Sequence, residues 1–183
     1  MTLAMTLGMS VGVRRTSYMM LGELLGVATV ALASVLGVAA VLLQSPQVFT
    51  LMKIAGAMYL VWLGVNMFRS KGKLAIHDRI DSTTDVSRWS LFSQGLLTAV
   101  ANPKGWAFMV SLLPPFINPE LAFTPQVSVL ICIILFSELI CMLIYATGGK
   151  NIGRLLKNKN NVKNVNRFSG LLMMLVGVWL AVS

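Results

Sequence analysis

The sequence predicts an all-α polytopic membrane protein of six transmembrane helices, the first incomplete. Three observations predict it. Of its 183 residues 56% are hydrophobic and only 11% charged, against about 25% charged in a typical soluble domain. The apolar residues gather into runs that reach, or nearly reach, the ~20 helical residues needed to cross a hydrocarbon core. The basic residues alternate between connections: of the 15, all but Lys53 and Lys104 fall in the first, third and fifth.

The first run, Met1–Val13, is apolar but short; at about 1.5 Å per residue it reaches roughly 20 Å of a ~30 Å core. It does not read as a signal peptide, because Arg14 and Arg15 follow the apolar part instead of preceding it. The next runs are Tyr18–Leu43, Lys53–Phe68, Leu91–Ile117, Val127–Thr147 and Phe168–Ser183. Arg14 and Arg15 fill the first connection. Arg69, Lys71, Lys73, Arg79 and Arg88 lie in the third, and Lys150, Arg154, Lys157, Lys159, Lys163 and Arg167 in the fifth. The connections Gln44–Met52 and Pro114–Gln126 carry no basic residue. Basic loops stay cytoplasmic, so both chain ends are predicted on the far side. The Lys/Asn-rich segment Lys157–Lys163 reads as a solvated topogenic loop, with anionic lipid contact a secondary role.

Two spans echo each other. Lys53-Ile54-Ala55-Gly56 opens one, and Arg167-Phe168-Ser169-Gly170 opens the last. Each continues into an apolar helix with a tryptophan, Trp62 or Trp179. By the loop assignment they run in opposite directions, which fits a three-plus-three inverted repeat. A single transmembrane domain over residues 1–183 follows, with one repeat at about 1–70, a cytoplasmic loop at about 70–90 and a second repeat at about 91–183.

Several functions are excluded. The net charge of +9 lies in short segments between apolar runs, without the aromatic-interleaved basic patch of a nucleic-acid binder. No GxxxxGK[ST] phosphate loop encodes an ATPase, no HExxH is present, and no nucleophile–His–acid set lies at membrane depth. An enzyme is not expected, nor a cofactor. His77, beside Asp78, Asp81 and Asp85 in the loop Ser70–Ser90, has no second ligand at metal-binding spacing. Cys132 and Cys141, nine residues apart in one run, fall on opposite helix faces. They are expected to be packing residues without a mutual disulfide.

The residues that carry chemistry stand inside the spans. Lys104 lies near the middle of Leu91–Ile117, where a lysine costs about 2.5–3.5 kcal/mol on insertion scales. Pro103 removes a helical hydrogen bond and leaves a carbonyl to be satisfied elsewhere. Such breaks are tolerated where they line a cavity or are buried in protein, so Asn102, Pro103 and Lys104 are read as half of a transport site. Asn102 could cap the following half-helix or touch ligand. Glu23 stands between Gly22 and Gly26, whose spacing allows close helix approach; Lys104 or the Arg14–Arg15 pair could neutralise it. Gly8 and Gly12 repeat that spacing. Glu138, with Cys141 and Tyr145, forms a polar stripe on its helix and is the candidate proton carrier. Gln94, Thr98 and Asn66 read first as interhelical glue, with Gln94 also placed along the transport path.

These residues resemble the LysE/RhtB superfamily of amino-acid exporters. The resemblance is carried by Gln94-Gly95-Leu96-Leu97, Asn102-Pro103-Lys104, Leu113-Pro114-Pro115-Phe116 and the span from Lys53 to Gly64, with Gly22-Glu23 where the family has Gly-Asp. It covers nearly the whole chain. It implies a multi-pass protein of the bacterial inner membrane whose partners are the lipid bilayer and a small-molecule amino acid or close derivative. Export is expected to be driven by an ion gradient, in the first place protons. Assembly into a homo-oligomer is compatible with this reading. Similar members carry more of the first helix, with a Pro-Gly-Pro motif that would be the repeat counterpart of Asn102-Pro103-Lys104. This chain is therefore expected to lack part of that helix. The alternative reading is a non-transporting membrane scaffold or accessory subunit.

Overall fold

A computed structural model of the chain describes residues 2–70, 86–113, 116–118, 121–149 and 159–182. The loop residues His77, Asp78, Asp81 and Asp85, the basic residues Lys71, Lys73, Arg79, Lys150, Arg154 and Lys157, and the pair Pro114–Pro115 lie outside them. Among the described residues there are seven helices and no strand: α1 (Thr2–Ser10), α2 (Val13–Gln44), α3 (Pro46–Arg69), α4 (Arg88–Val100), α5 (Pro103–Leu112), α6 (Phe123–Thr147) and α7 (Lys159–Val182).

Among the described residues four stretches are long and apolar enough to cross a membrane: Val13–Val38, Thr50–Arg69, Phe123–Thr147 and Asn160–Val182. The predicted run Leu91–Ile117 is not one helix. It divides into α4 and α5 at Ala101–Asn102, and neither piece spans alone. The connections are also shorter than the charge pattern suggested. Only Val11 and Gly12 separate α1 from α2, so Arg14 and Arg15 belong to the first turn of α2. Gly12 has φ +82° with open space around it. Its role is to turn the chain, which a residue with a Cβ does poorly, and not to pack as Gly8 does. Between α2 and α3 only Ser45 remains. Its hydroxyl oxygen accepts from the Val48 N–H at 3.4 Å, and Pro46 takes the first helical position, where a missing N–H costs nothing. α7 begins at Lys159 and draws Lys163 and Arg167 into the helix.

The chain folds into two compact units, each taking segments from both halves of the sequence. The first holds α1, α2 through Thr29, α4, and α6 from Cys132. Its core is Ala4, Leu7, Met19, Met20, Leu91, Met142 and Ala146, with Tyr18 and Tyr145 packed against it. Backbones touch here without side chains between them. Gly22 abuts the Phe92 carbonyl and Gly95 the Met19 carbonyl, while Gly26 faces the Ala99 Cβ. The sequence reading of Gly22 and Gly26 as a close-approach pair is thus correct, and Gly95 is its counterpart on α4. Gly8 meets the Ala146 backbone. At one end Arg88 lies over the Tyr18 ring, 5.3 Å from its centroid.

The second unit holds α2 from Val30, α3, α5, α6 to Ile131, and α7. Here α3 packs along α7 more extensively than any other pair. Gly64 meets Gly170, and two turns away Gly177 meets Ala57, so the two helices run antiparallel. Small residues seven apart on each helix let the backbones close. The core behind them is Ala57, Leu60 and Leu180 with Phe108, Met173 and Val176. Gly56 rests on Ser111 of α5, whose hydroxyl donates to the Ala107 carbonyl at 2.6 Å. At one end Arg167 covers Phe68 at 5.5 Å and the Asn166 amide donates to the Ser70 hydroxyl at 2.7 Å.

The connection ahead of α6 is organised by one side chain. Gln126 accepts from the Asn118 N–H at 2.8 Å and donates to the Asn118, Leu121 and Ala122 carbonyls at 3.0, 3.2 and 3.1 Å. Each such exposed hydrogen bond contributes about 0.5–1.5 kcal/mol net. Gln126→Leu is therefore expected to lower the melting temperature in detergent measurably without altering helix content.

Cys132 and Cys141 are both free, as the spacing predicted, but both are exposed. They do not pack in the interior of the chain as expected: along α6 Ile133, Phe136, Ile140 and Leu143 are also exposed. In a bilayer such a surface needs no protein cover, because lipid tails are as apolar as the side chains.

Candidate functional site

The break between α4 and α5 has a local cause. Pro103 has no N–H for the Ala99 carbonyl, four residues earlier. That carbonyl does not stay open, as the sequence alone suggested: the Asn102 N–H donates to it at 3.3 Å, and the Ala101 N–H caps the helix on Leu97 at 2.9 Å. The α-helix thus tightens, ends, and restarts with Pro103 at the first position of α5. Asn102 ends a segment of the first unit and Pro103 begins a segment of the second. Asn102, Pro103 and Lys104 are all exposed. Lys104 lies in the first turn of α5, at the positive end of the helix dipole. A lysine there adds a second positive element to a helix terminus that by itself favours anions.

Glu23 is only 6% exposed. Its place follows from the glycine contacts: Gly95 of α4 packs against the backbone between Met19 and Glu23, so α4 closes over this part of α2. The structure adds a neighbour that the sequence reading lacked. Met19, Met20 and Met142 share one core cluster. Glu23 is one turn beyond Met19, and Glu138 is one turn before Met142. Leu24 of α2 lines the same pocket as Leu135 and Leu139 of α6. Antiparallel packing of α2 and α6 therefore sets both carboxyl groups in one layer of the first unit. The signal available in the sequence was that these two are the acidic residues inside predicted spans; what paired them was the packing of Met19 and Met20 on Met142.

Of the predicted polar stripe on α6, Glu138 is half-buried and Tyr145 packs on the core, whereas Cys141 is exposed. Thr98 and Asn66 are exposed rather than bridging helices within the chain. Gln94 is exposed as well and lines a cleft on α4. The first unit thus brings together Glu23 and Glu138, and it also contains Gln94 and Asn102. Pro103 and Lys104 belong to the second. Among the described residues no group of three or more His, Cys, Asp or Glu side chains is placed to hold a metal ion.

Comparison with known proteins adds to this geometry. No solved structure matches the chain. An uncharacterized membrane protein of Vibrio cholerae is 31% identical over 174 residues, 95% of this chain and 83% of that protein. A homoserine/homoserine lactone efflux protein of Salmonella typhi is 34% identical over 133 residues, 73% of this chain and 63% of that protein. The chain thus spans less than two thirds of the length of this efflux protein. A leucine efflux protein of Klebsiella pneumoniae is 29% identical over 124 residues, 66% of this chain and 56% of that protein. The profile of the LysE type translocators matches residues 1–183, and the chain belongs to that family of membrane proteins.

Proposed function

We propose that this protein exports amino acids or close derivatives across the bacterial inner membrane, by alternating access driven by the proton gradient. The observation that carries this reading is the break at Asn102-Pro103 with Lys104 in the turn that follows, in a chain of a translocator family. A helix restarting within an apolar segment offers N–H groups and a positive dipole end to an anion. Lys104 supplies a full charge beside them. Together they suit the carboxylate common to every amino acid. Asn102 supplies a donor and an acceptor beside the same terminus.

Glu138 is the proposed proton carrier, and the neighbouring Glu23 carboxyl makes its protonation consequential. Two carboxyl groups in one layer of the first unit give a transported proton two neighbouring places to rest. The six-span arrangement and the inverted repeat are proposed on the same footing, supported by the antiparallel α3–α7 pairing and the alternation of basic connections.

Leucine counterflow in proteoliposomes tests the coupling. The Glu138→Gln variant, permanently neutral, is expected to retain leucine exchange between the two sides while losing accumulation driven by an imposed pH gradient. Gradient-driven accumulation equal to that of the unaltered chain would remove Glu138 from the proposal. A chain that gives neither exchange nor accumulation with leucine, homoserine or lysine would favour a scaffold over a transporter.

A further inference from the structure

A cleft of about 540 Å³ runs along one face of α4 in the first unit, walled by Leu7 of α1 and by Val86. Its floor is a polar track: Ser90, Ser93, Gln94 and Thr98, with Leu97 between them. Ser90, Gln94 and Thr98 follow at intervals of four, and Asn102 is one further step along. At about 1.5 Å per helical residue the distance from Ser90 to Asn102 is roughly 18 Å, more than half of a ~30 Å hydrocarbon core. Arg88, the first residue of α4, belongs to a connection read as cytoplasmic. The track therefore leads from the cytoplasmic end of α4 to the break.

We infer that this cleft is the entry site of the exporter and that it selects neutral zwitterionic amino acids with short aliphatic side chains. The inference rests on the proposed export function and deepens it. Its chemistry is set by where the hydroxyl protons go. Ser93 donates to the Trp89 carbonyl, and Thr98 donates to the Gln94 carbonyl at 2.7 Å. With the protons committed to the helix, each hydroxyl presents acceptor lone pairs, which match a substrate ammonium. The Gln94 amide can donate to the carboxylate of the same molecule. Leu7, Val86 and Leu97 leave an apolar wall for an aliphatic side chain. None of the described lining residues is charged. Among the described lining residues the side-chain cation of a lysine or arginine substrate would meet no carboxylate to pair it. The cleft volume falls within the roughly 300–1,000 Å³ of small-molecule sites.

The test is initial efflux from cells loaded with leucine-, homoserine- or lysine-containing dipeptides, normalised to the inserted amount of each variant. The unaltered chain is expected to export leucine or homoserine in preference to lysine. Gln94→Leu is expected to raise KM for the neutral substrate about tenfold, the size of one lost hydrogen bond to a charged group, with Vmax retained. Thr98→Val, which keeps the shape and removes the acceptor, is expected to raise KM severalfold, and Ser93→Ala likewise. Gln94→Glu places a carboxylate in the cleft and is expected to shift the preference towards lysine. Efflux of leucine by the unaltered chain with KM unmoved in all four variants would overturn the cleft alone. So would a loss in these variants that tracked dissociation of an oligomer instead of KM. Preferred lysine export by the unaltered chain would overturn the selectivity. No efflux of any substrate by the unaltered chain would overturn the export function and the cleft with it.

Discussion

Lys104→Met is expected to reduce amino-acid efflux thirtyfold or more while leaving membrane insertion and helix content unchanged. The two side chains have similar length, so the packing of α5 is disturbed little. What is lost is a cation at a helix terminus. Removing one partner of a desolvated charge pair costs about 2–5 kcal/mol, and every 1.4 kcal/mol is a factor of about ten. Insertion should improve slightly, because the lysine itself opposes it. The variant therefore separates function from folding. Lys104→Arg sharpens the result. It keeps the charge but replaces a compact ammonium by a planar guanidinium, and is expected to retain part of the activity. Undiminished export by Lys104→Met would remove the α5 terminus from the transport path and leave the α4 cleft to be judged on its own variants.

Gly95→Leu is expected to have the largest effect on stability. A Cβ at this position would overlap the Met19 carbonyl oxygen and press on the Glu23 backbone nitrogen. Neither obstacle is a flexible side chain that can swing away. Both belong to the backbone of α2, so α2 and α4 must separate. Overpacking typically costs about 1–3 kcal/mol and occasionally more; with backbone on both sides the upper end or beyond is expected. Parting these helices would also displace Glu23 from the layer it shares with Glu138. Thermal unfolding in detergent should show a lowered transition, and the gradient-driven component of transport should fall with it. Gly37, which has open space around it, provides the control: Gly37→Ala should be neutral or slightly stabilising through its helix propensity. A Gly95→Leu chain as stable as the unaltered one would show that α2 and α4 do not pack at this distance.

Much of the architecture was legible without coordinates. The length of an apolar run and the alternation of basic residues are local properties, and the bilayer reads them locally. They sufficed for an all-helical membrane protein, for the places of its long helices, and for the break at Asn102-Pro103, since a proline acts on its own turn. They also sufficed for Gly22 and Gly26 as a contact face. Connection lengths were misread because a charged residue can occupy a helix end as readily as a loop. Arg14 and Arg15 open α2, and Arg167 lies within α7 against Phe68. The rest depended on partners distant in sequence. That Glu23 shares a layer with Glu138 follows from Met19 and Met20 packing on Met142, more than a hundred residues away. That Gly95 receives the α2 backbone, and that Gly64 receives Gly170, cannot be read from either glycine. The direction of the Ser93 and Thr98 hydroxyls became meaningful only when α1 supplied a wall for their cleft. Sequence by itself determined which segments are long and apolar enough to cross a membrane and where one apolar run breaks, because solvation acts on each segment separately. Only the tertiary structure decided which polar groups meet, because that is settled by the few small residues where two backbones come close enough to touch.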